Sequence, residues 1–165
     1  MLHLFFLIFG SVVGSFLGVI AYRVPRKESI VFPPSHCPHC RHKLMWFDLI
    51  PIVSYLSLRG KCRYCKKPIS FMTLAIEIWT ALLFLTIYIF FPGVHILQLL
   101  YYLTMGSIFT VIVFTDLMYG IIPFQISFFG FLVTFFFLVF NFSPALLINH
   151  LFSAIGAFLA FLFYF

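Results

Sequence analysis

Every lysine and arginine in this 165-residue chain falls between Arg23 and Lys67, and long uncharged apolar stretches flank that segment on both sides. The ten cations share the segment with two carboxylates, Glu28 and Asp48, for a net charge of +8. Only Glu77 and Asp116 follow, bringing the total to +6. Hydrophobic residues make up 64% of the chain and charged residues 8%, which excludes an ordinary soluble globular domain. The 26 phenylalanines suit lipid-facing and helix-packing surfaces better than a cofactor box. A basic block between apolar spans could bind nucleic acid, but the positive-inside rule accounts for it with no such partner and places it in the cytoplasm. Contact with anionic lipid headgroups follows as a secondary effect.

The apolar stretches divide the chain into an all-α, polytopic membrane protein. We expect about five transmembrane helices with a cytoplasmic zinc-binding loop between the first and second. The first span is Leu2–Tyr22, close to the roughly 20 residues a bilayer crossing needs. Its flanking charges, Arg23, Arg26 and Lys27, come after the apolar run, whereas a cleaved signal peptide carries them before it. The loop covers residues 23–70. Further spans are expected at Phe71–Phe91, His95–Thr115, Phe124–Phe140 and Ala145–Phe165, separated by Pro92-Gly93, Asp116–Pro123 and Asn141–Pro144. Alternation then puts the amino terminus outside and both Asp116 and Phe165 near the cytoplasmic face. Gly10, Gly14 and Gly18 recur every four residues on the first span, a small-residue face for close helix packing.

All four cysteines lie in the basic loop, as Cys37-Pro38-His39-Cys40 and Cys62-Arg63-Tyr64-Cys65 with 21 residues between the pairs. Two thiolates three positions apart on a tight turn can share an ion, and two such turns complete a tetrahedral sulfur site suited to zinc. The separation lies just beyond the usual range of about 15–20 residues. A redox CxxC stands alone on a βαβ unit, which this loop lacks. With four thiolates filling the site, His36, His39 and His42 are read as flanking or solvent-exposed groups. The zinc is then structural, because a catalytic zinc keeps one position open.

Each of the four carboxylates can be weighed by position. Glu28 and Asp48 in the loop are most simply solvated or paired with nearby cations. Glu77 and Asp116 sit in or at the ends of apolar spans, where an ionisable group costs about 2.5–3.5 kcal/mol at mid-bilayer and is a functional candidate by default. Glu77 is softened by its place near the start of its span. Asp116 ends the uncharged run Val111–Thr115 and precedes a turn-rich break. It is a candidate for general acid–base work, against the plainer reading of a helix-end cap.

In order along the chain stand Gly14-Ser15-Phe16-Leu17, Tyr22-Arg23-Val24-Pro25, Ser35 to Cys40, Trp46 to Pro51, Ser54-Tyr55-Leu56, Arg59 to Cys65, Ile69-Ser70, Glu77, and Thr115-Asp116-Leu117 to Ile122-Pro123. With these blocks the chain resembles the type IV prepilin peptidases, bacterial membrane aspartic proteases. The resemblance implies a protein of the bacterial inner membrane that cuts the basic leader from type IV prepilins or pseudopilins at the cytoplasmic face, for pilus assembly, secretion or DNA uptake. It further implies methylation of the new amino terminus with S-adenosylmethionine, and Asp116 as the first of two catalytic aspartates.

The second aspartate of that family lies in a Gly-x-Gly-Asp motif on a later helix, and no Asp or Glu follows Asp116 here. Aspartic chemistry needs two carboxylates sharing a proton. Asp48 or Glu77 could serve only in a different fold. The expectation is a family member cut short before its second catalytic residue and inactive by itself. Gly18 stands where the family commonly has Asn, and Phe124 where it has an acidic or amide residue. Two other readings stay open: a non-catalytic scaffold of the pilus or competence machinery, and a zinc-dependent anchor that binds DNA or lipid through the basic loop.

Overall fold

The computed structural model describes residues 1–140, and the expected span Ala145–Phe165 lies outside them. Helix α1 runs Leu2–Arg23, a short α2 Val53–Ser57, α3 Phe71–Phe90, α4 Ile96–Tyr119 and α5 Phe124–Phe140, with a 3-10 turn at Trp46–Leu49. No strand occurs among the described residues, only the isolated antiparallel bridges His36–Lys43 and Lys61–Pro68. Three helices, α1, α3 and α4, are long and apolar enough to cross a membrane. At 17 residues α5 is shorter. Residues Met1–Phe128 form one compact unit, and Phe129–Phe165 a second, of which the rest of α5 is the described part.

The first unit is built on the pairing of α1 with α3. A Cβ at Gly10 would stand 2.8 Å from the Ala81 Cα and the Thr80 carbonyl oxygen, and one at Gly14 would stand 2.9 Å from the Glu77 Cα. Both obstacles are backbone, so glycine is what lets the two helices touch. Gly18 differs, with its nearest neighbour 3.9 Å away. Leu17, Ala21, Ile76, Val111 and Phe114 form one apolar cluster at the loop end of α1, α3 and α4, and Phe6, Phe84, Ile87 and Leu103 a second at the far end. The buried hydroxyls of Thr80, Thr110 and Thr115 donate to carbonyls four residues back in their own helices, at 2.6–2.8 Å. Outward faces carry Phe5, Phe16, Leu82, Phe109 and other large apolar side chains, the arrangement a lipid solvent favours.

Helix ends follow local chemistry. The Ser70 hydroxyl accepts the Met72 N–H at 3.2 Å and starts α3. Helix α4 continues four residues past the expected Thr115, because its stop is Gly120. That glycine takes the left-handed conformation (φ 63°) and donates its N–H to the Asp116 carbonyl at 2.7 Å. Asp116 therefore lies in the last turn of α4, not in the break after it.

Candidate metal centre

The two CxxC segments fold into the same turn. In the first, the Cys37 N–H donates to the His42 carbonyl and the Arg41 N–H to the Cys37 carbonyl. In the second, the Cys62 N–H donates to Lys67 and the Lys66 N–H to Cys62. Each turn is closed by one of the two isolated bridges, and each holds its fifth residue at positive φ, Arg41 at 55° and Lys66 at 58°. The repetition aims four sulfurs at one point. All four Sγ atoms lie within 4.8 Å of one another, with Cys37 and Cys65 3.8 Å apart. A tetrahedral ion with metal–sulfur bonds of about 2.3 Å needs sulfur–sulfur edges of about 3.8 Å, so the residues present fit a metal ion.

The electrostatics agree with that fit. Burial opposes ionisation of Cys37, but the N–H groups of Cys40 and His39 and the neighbouring thiols outweigh it and draw its pKa down to about 7. Cys40 benefits from the His42 N–H. Desolvation and the adjoining Cys37 and Cys65 sulfurs overcome that help and push it up to about 11. Cys37 thus gives up its proton near neutrality, while Cys40 holds its own until a cation displaces it. The histidines stand outside the ligand group: His36 Nδ1 is 2.9 Å from the Pro34 carbonyl oxygen, His39 is exposed, and His42 packs on the Tyr64 ring at 3.6 Å.

Asp48 ties the 3-10 turn to the second CxxC. Its carboxylate accepts from Arg63 Nε at 2.7 Å, from the Tyr64 hydroxyl at 3.2 Å and from the Met45 N–H at 3.3 Å. Burial raises its pKa, but these donors prevail and hold the carboxyl below its usual range. Arg63 and Tyr64 are the two central residues of the second CxxC, so the pair between the cysteines is also the clasp on Asp48. Of the two sequence readings, solvated or paired, the paired one is what the fold contains.

Glu77, seven residues into α3, is buried at 5% exposure. Its Oε2 accepts the Ile52 N–H at 2.6 Å, and the Ser15 hydroxyl faces the same carboxylate. Asp116 contrasts with both: it is exposed at the end of α4, and among the described residues no side chain pairs with its carboxylate. A negative charge at an exposed helix carboxyl end opposes the macrodipole by about 0.3–1 kcal/mol. Asp48 and Glu77 make their hydrogen bonds elsewhere, and neither joins Asp116 in a dyad. One feature near it escaped sequence reasoning. The Arg26 guanidinium lies 3.6 Å from the Tyr22 ring and 5.4 Å from the Tyr119 ring, bridging the ends of α1 and α4 beside a cavity of about 280 Å³. The only sequence signal was an aromatic at each helix end.

Comparison with known proteins places these features in context. The family model described as "Bacterial Peptidase A24 N-terminal domain" matches residues 8–91, which contain all four cysteines, Asp48 and Glu77. A prepilin leader peptidase/N-methyltransferase of Myxococcus xanthus is 39% identical over 123 residues, covering 74% of this chain and 36% of that protein. One of Bacillus subtilis is 40% identical over 122 residues, covering 74% of this chain and 48% of that protein. A type 4 prepilin-like proteins leader peptide-processing enzyme of Escherichia coli is 36% identical over 101 residues, covering 50% and 38%. The chain thus spans between about a third and a half of the length of these relatives. No solved structure matches.

Proposed function

The chain belongs to the bacterial A24 peptidase family, and from that premise we propose that it is a prepilin leader peptidase-like membrane protein of the bacterial inner membrane. Its substrates in this reading are type IV prepilins or pseudopilins, met at the cytoplasmic face with the amino terminus outside. The observation that carries the reading is the family match over residues 8–91, whose paired CxxC turns converge on one point. We assign that point a structural zinc: four thiolates close the coordination shell and leave no position for water or substrate. The ion would tie the two turns, and with them the loop, into one folded piece. Methyl transfer from S-adenosylmethionine is supported by the names of the relatives alone.

Asp116 is the proposed catalytic aspartate. Its exposure at the loop end of α4 leaves the carboxylate open to water and to a peptide. One carboxylate cannot act as both base and acid, so this chain alone is expected to be inactive. The test is cleavage of a synthetic prepilin in vesicles, using the chain alone and the chain together with the remaining portion of the Bacillus subtilis relative. Product is expected only in the combined sample and is lost on Asp116→Asn. Cleavage that survives Asp116→Asn would overturn the assignment. Failure of a folded combined sample would favour the second reading, a non-catalytic scaffold.

A further inference from the structure

We propose that the turn Leu49–Val53 is re-entrant: it lies within the bilayer leaflet on the loop side, against acyl chains, with Glu77 as the positioning residue that holds it there. The inference does not depend on peptidase activity.

It starts from the backbone. Ile52 has φ 63° and ψ −52°, and the Val53 N–H reaches back to the Pro51 carbonyl, a γ-turn that is rare and strained for a β-branched residue. The Ile52 N–H is thereby turned away from the helix that follows. Its acceptor is the Glu77 carboxylate at 2.6 Å, on a different element, with Ser15 of α1 facing the same group.

The depth of that acceptor is informative. Glu77 is seven residues into α3, roughly 10 Å along the helix at 1.5 Å per residue. Ser15 is eight residues before Arg23, the last residue of α1 and the first of the basic block. Even with the Glu77 side chain leaning one turn back toward the start of α3, the Ile52 amide lies inside the level marked by Arg23, because the Glu77 Cα packs beside Gly14, nine residues before it. At that depth an N–H without an acceptor costs several kcal/mol. A carboxylate without donors is no better placed. Each group satisfies the other, whereas in water neither would need to.

The surface of the turn is the third observation. Val53 is 59% exposed and Trp46 74%, with Leu49, Ile50 and Leu56 exposed beside them. Leu49 lines a cavity of about 370 Å³ together with Phe16 and Val19 of α1 and with Arg23 and Lys43, so the apolar face of the loop meets the outward face of a spanning helix where the basic block begins. Lipid chains are the occupant that this continuity and depth select.

The chain has two tryptophans, Trp46 and Trp79, which makes the position of the turn measurable. In a Trp46→Phe/Trp79→Phe background, Ile50→Trp supplies a single reporter in phosphatidylcholine–phosphatidylglycerol vesicles. We expect quenching by lipids brominated on their acyl chains and little by aqueous acrylamide. Adding Glu77→Ala is expected to reverse that order, while Glu77→Gln, which keeps an acceptor oxygen, retains it. Hydrogen exchange gives an independent reading, with the Ile52 amide at least about tenfold faster in Glu77→Ala while α1 and α3 stay protected. Acrylamide quenching without bromolipid quenching when Glu77 is intact would overturn the re-entrant placement. Unchanged quenching and exchange in Glu77→Ala would overturn the role of Glu77. Should Glu77→Ala not fold, retained bromolipid quenching with intact Glu77 still decides the placement, and exchange in Glu77→Asn, whose shorter side chain pulls the acceptor back, decides the role.

Discussion

Two of the three glycines on α1 are distinguished from the third by what a single added carbon would strike. Gly10→Ala and Gly14→Ala would each drive a methyl into the backbone of α3 at 2.8–2.9 Å and force the helices apart. We expect a loss of about 1–3 kcal/mol in detergent unfolding experiments for either. Gly18→Ala, with 3.9 Å to spare, is expected to change stability by less than about 0.5 kcal/mol. The same conformational logic favours glycine elsewhere: Arg41 and Lys66 occupy left-handed backbone at 55° and 58°. Arg41→Gly or Lys66→Gly is expected to raise the stability of the metal-loaded loop by up to about 1 kcal/mol, and Arg41→Val to lower it, read by chelator competition.

At the scale of elements, the paired turns and the clasp on Asp48 titrate in separate windows. Metal capture requires thiolates, and with the first proton leaving near Cys37's value of about 7, affinity should fall steeply as pH drops below neutrality. A zinc-chelator titration from pH 8 downward checks this. Asp48 acts lower on the scale. Its folded carboxyl is depressed, so the stability it lends is complete above the unfolded value of about 3.9 and is lost as pH falls through the folded value. Acid therefore releases the metal before it opens the clasp. Asp48→Asn should cost the loop about 1 kcal/mol at neutral pH, modest because Arg63 is 44% exposed. On the neighbouring element, Gly120→Ala is expected to fray the last turn of α4 that carries Asp116, at a cost of about 1 kcal/mol.

For the whole molecule, charge segregation and packing make one testable picture. With all ten cations in one loop, the cysteines and the cations should share one side of the membrane. Membrane-impermeant maleimide added to intact spheroplasts is expected to leave the metal-stripped cysteines unlabelled until the membrane is permeabilised. Labelling from outside would invert the proposed topology. Purified, reduced protein should carry about one zinc per chain, and a mutant lacking Cys37 and Cys62 essentially none.

Much of this was legible in residue order alone. The apolar runs set α1, α3 and α4 to within a few residues, since a bilayer demands about 20 apolar residues per crossing and little else produces them. The paired CxxC spacing singled out the four cysteines whose sulfurs the fold brings within 4.8 Å of one another, because two thiolates three residues apart on a turn can share an ion. What only the tertiary structure decided were contacts between distant positions. It extended α4 past Asp116 through the handedness of Gly120. It took Asp48 to Arg63 and Tyr64. It buried Glu77 against Ile52, 25 residues earlier, and left the Asp116 carboxylate without a side-chain partner among the described residues. Local composition fixes what a segment can be, whereas which donor meets which acceptor depends on how the segments pack, and no sequence period encodes that.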